Sequence, residues 1–68
     1  MKITYDPDAD AAYIYVKFPI KRGEAKNTVA INENIIVDFD AKGKMLGIEV
    51  LSAKKMLNKE VLMEAKTL

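Results

Sequence analysis

Between Ile35 and Leu51 the chain reads IIVDFDAKGKMLGIEVL. Ile35, Val37 and Phe39 recur at period two with Asp38 between and Asp40 after them, and Leu46, Ile48 and Val50 do the same around Gly47 and Glu49. Successive side chains of a strand point to opposite faces, so this alternation predicts two half-buried strands. The residues between them, Asp40-Ala41-Lys42-Gly43, suit a type I turn with a G1 bulge. Asp holds the first position with its side chain, and Gly accepts positive φ at the last.

The remaining segments add to this hairpin. Lys2–Tyr5 predicts a short strand, stopped by Asp6-Pro7-Asp8-Ala9-Asp10. Ala11–Phe18 predicts a second, with Ile14 and Val16 on one face and Tyr13 and Tyr15 on the other. Pro19 and Lys21-Arg22-Gly23 mark a loop, Glu24–Ile31 a third strand, and Asn32-Glu33-Asn34 a turn. After Leu51 the period becomes helical. Ser52 is a suitable N-cap, and a helix over 52–68 follows with two stripes, Ala53-Met56-Leu57 and Val61-Leu62-Ala65-Leu68. The stripes lie roughly a quarter-turn apart, so either the helix bends near Asn58-Lys59 or its second half meets something other than the sheet.

Together these elements predict an α+β fold in a single domain, 1–68: a small antiparallel β-meander of about five strands over 1–51, with a C-terminal helix over 52–68 packed on one face. Period two and the first helical stripe place Ile3, Ile14, Val16, Val37, Phe39, Leu46, Ile48, Val50, Met56 and Leu57 in one core.

Composition narrows the chemistry. The net charge is +1 with both signs interspersed, which supplies no field to recruit nucleic acid or an anionic membrane. The short pairs Lys21-Arg22 and Lys54-Lys55 read as solvated surface, so no nucleic-acid partner is expected. There is no Cys for a disulfide or thiolate and no His as a base. Ser52 and the Thr residues therefore lack the ordinary activating partner, and no catalytic residue is expected. No apolar run is long enough to span a bilayer, and MKITYDPDAD has no leader-like apolar region, so the expectation is a cytoplasmic protein without membrane or cofactor.

Five carboxylates remain as candidates. Asp6, Asp8 and Asp10 have the spacing that opens a calcium loop, but Ala11 stands where the turn wants Gly and Lys17 where the bidentate Glu belongs. Asp38 and Asp40 share a strand face and can lie near the first group. Turn-forming and solvated Asp are the favoured readings; a divalent-metal-binding or hydrolytic protein using these five is the alternative.

Tyr5-Asp6, Asp10, Tyr13-Ile14, Val37-Asp38-Phe39-Asp40, Gly43 and Gly47-Ile48-Glu49-Val50-Leu51 resemble the short prokaryotic proteins grouped as domain of unknown function 2283, over about residues 1 to 53. The resemblance implies a strand-rich fold followed by a helix, with no established activity. It also implies an antitoxin-like or partner-binding role, since some members lie beside genes for toxin-like proteins of the RelE type. The expectation is therefore a protein-binding module or antitoxin-like partner protein without catalysis. Its contact with a protein partner, or with itself, is expected through Val61, Leu62, Ala65 and Leu68.

Overall fold

The computed structural model describes residues 1–68. Strands β1 (Lys2–Asp6), β2 (Ala11–Tyr15), β3 (Asn27–Ala30), β4 (Ile35–Phe39) and β5 (Met45–Leu51) are followed by helices α1 (Ala53–Met56) and α2 (Lys59–Glu64) and strand β6 (Lys66–Thr67). They form a six-stranded sheet in the order β3-β4-β5-β2-β1-β6, antiparallel except for the β1–β6 pair. The central hairpin has the expected turn. Gly43 has φ 80°, and the Asp40 side chain accepts from the amides of Lys42 and Lys44, both at 2.9 Å. These amide donors, Lys44 first, hold the Asp40 carboxyl below its ordinary pKa.

The strand order departs from a simple meander. Strand β2 lies beside β5, so the connection after it passes two strands before β3 begins at the edge. The apolar character of both β2 faces suits an interior strand, and the polar first half of Glu24–Ile31 suits an edge. That polarity also delays β3, which starts at Asn27 rather than Glu24, and β2 ends at Tyr15 rather than Phe18. Val16 and Lys17 both donate to the Leu46 carbonyl, and the Lys17 ammonium pairs with Glu24 across the connection.

The expected single helix over 52–68 is two short helices and a sixth strand. Leu57 is extended (φ −111°, ψ 142°), and the Asn58 side chain caps α2 by accepting from the Val61 amide at 3.0 Å. A local cap here outweighs continuous helix propensity. Ala65 is extended again, and Leu68 donates to the Tyr5 carbonyl at 2.8 Å, which ties the tail beside β1.

Ser52 does not cap α1 with its side chain; it sits at φ 53°. The cap comes from Asp10, forty-four residues distant, whose carboxylate accepts from the Lys54 amide at 3.1 Å. The Asp10 carbonyl accepts from the Ala53 amide at 2.9 Å, and its carboxylate also takes the Tyr5 hydroxyl at 2.8 Å. Both helices lie on one sheet face, where Ala12, Val50 and Ala53 form the buried centre with Tyr5, Ile14, Ile48, Met56, Leu57 and Leu62 around it. Ala at 12 and 53 lets the helix approach the strands closely, a role that a search for large apolar residues misses.

Of the expected core, Val37, Leu46 and Val50 are buried and Ile3, Ile14, Phe39, Ile48, Met56 and Leu57 are half-buried. Val16 is a correction: it is 45% exposed, because β2 ends before it and the helices cover the opposite end of the strand.

Two stability changes follow. Gly43→Val places a β-branched residue at positive φ and should destabilise by at least about 1 kcal/mol in urea unfolding, on the scale of that strain. Asp10→Gly keeps the positive φ of 50° but removes the carboxylate. It should lose about 1–2 kcal/mol, the scale of a lost cap and hydrogen bond, and an unchanged unfolding midpoint would refute the capping role.

Candidate functional site

The carboxylates that suggested metal or hydrolytic chemistry are placed separately. Asp6 accepts from the amides of Asp8 and Ala9 within its turn, at 3.0 and 3.4 Å. Asp8 is exposed beside Pro7, and Asp10 caps α1. Asp40 lies in the central turn, where its carboxylate is taken up by the amides of Lys42 and Lys44. Asp38 lies on the sheet, accepting from the Tyr13 hydroxyl at 2.7 Å and the Thr28 hydroxyl at 2.7 Å. No three acidic side chains converge in a geometry that could hold a metal ion, and the surface has no cavity.

The register separates the two sheet faces. One row runs Ile3, Ile14, Ile48, Val37, Val29, and its neighbour runs Tyr5, Ala12, Val50, Ile35. No charged residue occurs in either row. The helices cover these rows over β1, β2 and β5. Toward β3 the cover ends: Val29 is 46% and Ile31 62% exposed, and Val16 is open at the end of β2.

The other face carries polar and aromatic groups. Its row is Lys2, Tyr15, Gly47, Asp38, Thr28, with Tyr13 one position along. The Tyr13 ring lies across Gly47, where an added Cβ would stand 2.4 Å from the ring edge. That passage brings the phenol to Asp38. Burial first, and then the hydrogen bond to Asp38, raise the Tyr13 pKa far above its ordinary value. Tyr15 packs edge-on against Tyr13 and Phe18, with centroids at 4.7 and 5.2 Å, and the Lys2 ammonium lies 4.5 Å from the Phe18 ring. This face is internally satisfied, so it supports the sheet more than it offers donors outward.

The residues expected to meet a partner are divided. Leu62 packs on the chain's own core, Val61 and Ala65 are half-buried, and Leu68 is exposed, as is Met63. The exposed residues Val29 and Ile31 were not among the expected contacts. Their spacing puts both on one strand face, but only the folded chain shows that this face is left uncovered there.

The profile of the family described as "Protein of unknown function (DUF2283)" matches residues 2–54, from β1 into α1. An uncharacterised protein of Methanocaldococcus jannaschii is 34% identical over 58 residues, which is 85% of this chain and 46% of that protein. The chain thus spans about half the length of that relative. No solved structure matches.

Gly47→Ala forces the Tyr13 ring from its place and should destabilise by about 1–3 kcal/mol, the usual scale of overpacking. The neutral phenol is the form that the fold favours. Its contribution is complete below the ordinary tyrosine value of 10.0 and is lost as pH rises beyond that toward the raised folded value. Tyrosine titration followed by ultraviolet absorbance should show two phenols above the ordinary value in the wild type, Tyr5, raised first by its hydrogen bond to Asp10, and, last of all, Tyr13. The Tyr13 phenol should titrate earlier in Gly47→Ala, and an unmoved titration would refute the Tyr13–Gly47–Asp38 arrangement.

Proposed function

The chain belongs to the DUF2283 family, and on that premise we propose that it is a protein-binding module that works without catalysis. The observation that carries this reading is the half-covered apolar face: charge-free rows of side chains that end in the exposed Val29 and Ile31 on β3, with Val16 open separately at the end of β2. Contiguous exposed apolar surface of this kind marks interaction sites on small proteins. The Val61–Leu68 segment adds Met63 and Leu68, both largely exposed, while Leu62 serves the core. An antitoxin-like partner protein is one form such a module takes, and the resemblance noted above supports it. The carboxylates support the reading from the other side, since Asp6, Asp10, Asp38 and Asp40 already accept bonds that shape turns, a cap and the sheet. No helix is long and apolar enough to cross a membrane.

The test uses variants outside β3. The full chain, Val16→Glu and Leu68→Glu are immobilised, proteins retained from the native cells are identified, and each is purified and titrated by calorimetry. A specific partner should bind the wild type and lose at least about tenfold in affinity, 1.4 kcal/mol, in one of the variants. Absence of any such partner, or binding by both variants as tight as by the wild type, would reject a separate protein as the occupant of this surface.

A further inference from the structure

The two edges of the sheet differ. β6 closes one edge with two residues, Lys66 and Thr67. Short length and a lysine are features by which natural edges avoid pairing with other strands. β3 closes the other edge. From Asn27 to Ile31 it carries no charge and no proline, and every residue is exposed. Ile31 donates to the Ile35 carbonyl at 2.8 Å, and Val29 lies opposite Val37. Backbone groups of an antiparallel pair alternate in direction, so the odd-numbered residues serve β4. The amides and carbonyls of Thr28 and Ala30 therefore face outward, a row of unpaired groups with nothing guarding it.

We propose that the strip's partner is a second copy of this chain, paired antiparallel along β3 about a two-fold axis at Val29. The proposal rests on the binding-module reading and specifies its occupant. In this register Thr28 exchanges both hydrogen bonds with the partner's Ala30, and Ala30 with the partner's Thr28. All the outward groups of the strand are then satisfied by one symmetric contact. Val29 meets the partner's Val29, which joins the two uncovered apolar strips into one. No charged residue lies within the strand, so no like charges face each other across the axis.

Two further observations agree with such a contact, the first on its size and the second on its symmetry. The accessible surface is 4883 Å², whereas a folded monomer of 7.6 kDa is expected to expose roughly 4,300 Å². The excess, on the order of 600 Å², approaches the roughly 800 Å² that each partner contributes to a standard interface. Pairing also closes. The outer edges of the joined sheet are two guarded β6 strands, so association through the sheet stops at two copies rather than running on as a fibre.

The experiment is sedimentation equilibrium over a wide concentration range, with hydrogen exchange of the same samples. The wild type should reach a dimer mass, and the amides of Thr28 and Ala30 should gain protection as the dimer forms. Ala30→Pro removes an amide that β4 does not use, a substitution that edge strands tolerate. It should keep the melting temperature that the wild type shows at monomeric concentrations, and abolish the dimer. Val29→Lys, which sets two ammonium groups together on the axis, should raise the dimer dissociation constant by at least about tenfold even if the proline variant does not fold. A wild type that stays monomeric, or a dimer unaffected by Val29→Lys, overturns the proposal. If partner binding still depends on Val16 or Leu68 in a monomeric wild type, the binding-module reading stands and only the second copy fails. A β3-dependent dimer with no other partner leaves the copy as the occupant and refutes a separate protein.

Discussion

A single turn of helix has no stability of its own in water, so α1 exists only because the sheet holds it, and the group that holds it is Asp10. Its carboxylate and carbonyl accept the first two amides of α1, while the Tyr5 hydroxyl braces the same carboxylate from β1. Three distant segments are thereby fixed relative to one another: the first strand, the turn after it and the start of the helical tail. Ala53 is set directly over Ala12 and Val50, the most fully enclosed part of the molecule. The left-handed backbone at Asp10 is the strain that this junction tolerates.

Because α1 starts there and stops at Leu57, the helical layer has a limited reach. Asn58 starts α2 in a new direction, and the chain then returns to the sheet edge as β6 instead of extending over β4 and β3. The apolar face is consequently enclosed at one side and open at the other. The break at Leu57-Asn58 is thus the local event that turns part of a core into a surface.

The sheet was legible in the sequence and the helical tail was not. Strand faces follow from alternation within a few residues, so the shared face of Ile3, Ile14, Ile48 and Val37 and the Gly43 turn could be read directly, but not the order of the strands that makes those residues a row. The break at Leu57 depends on a competition that propensity alone does not resolve: good helix formers on each side against one Asn side chain. Asp10 as a cap was invisible because its partner amide is forty-four positions away. Five carboxylates suggested chemistry because their spacing could be counted, whereas their hydrogen-bond partners, such as Tyr13 and Thr28 for Asp38, are set by strand register. The open edge at β3 was equally hidden, since only the strand order shows which strand lies outermost.

The passage of the Tyr13 ring over Gly47 has a consequence for how this chain can change. The two positions, thirty-four residues apart, share one volume, so the effect of a substitution at either depends on the occupant of the other. Shrinking residue 13 first vacates the space and makes a side chain at 47 harmless; enlarging residue 47 first meets an aromatic ring. Evolutionary paths through this pair therefore have a preferred order. The glycine makes room for a ring laid across it, and no freedom of its own backbone is called on.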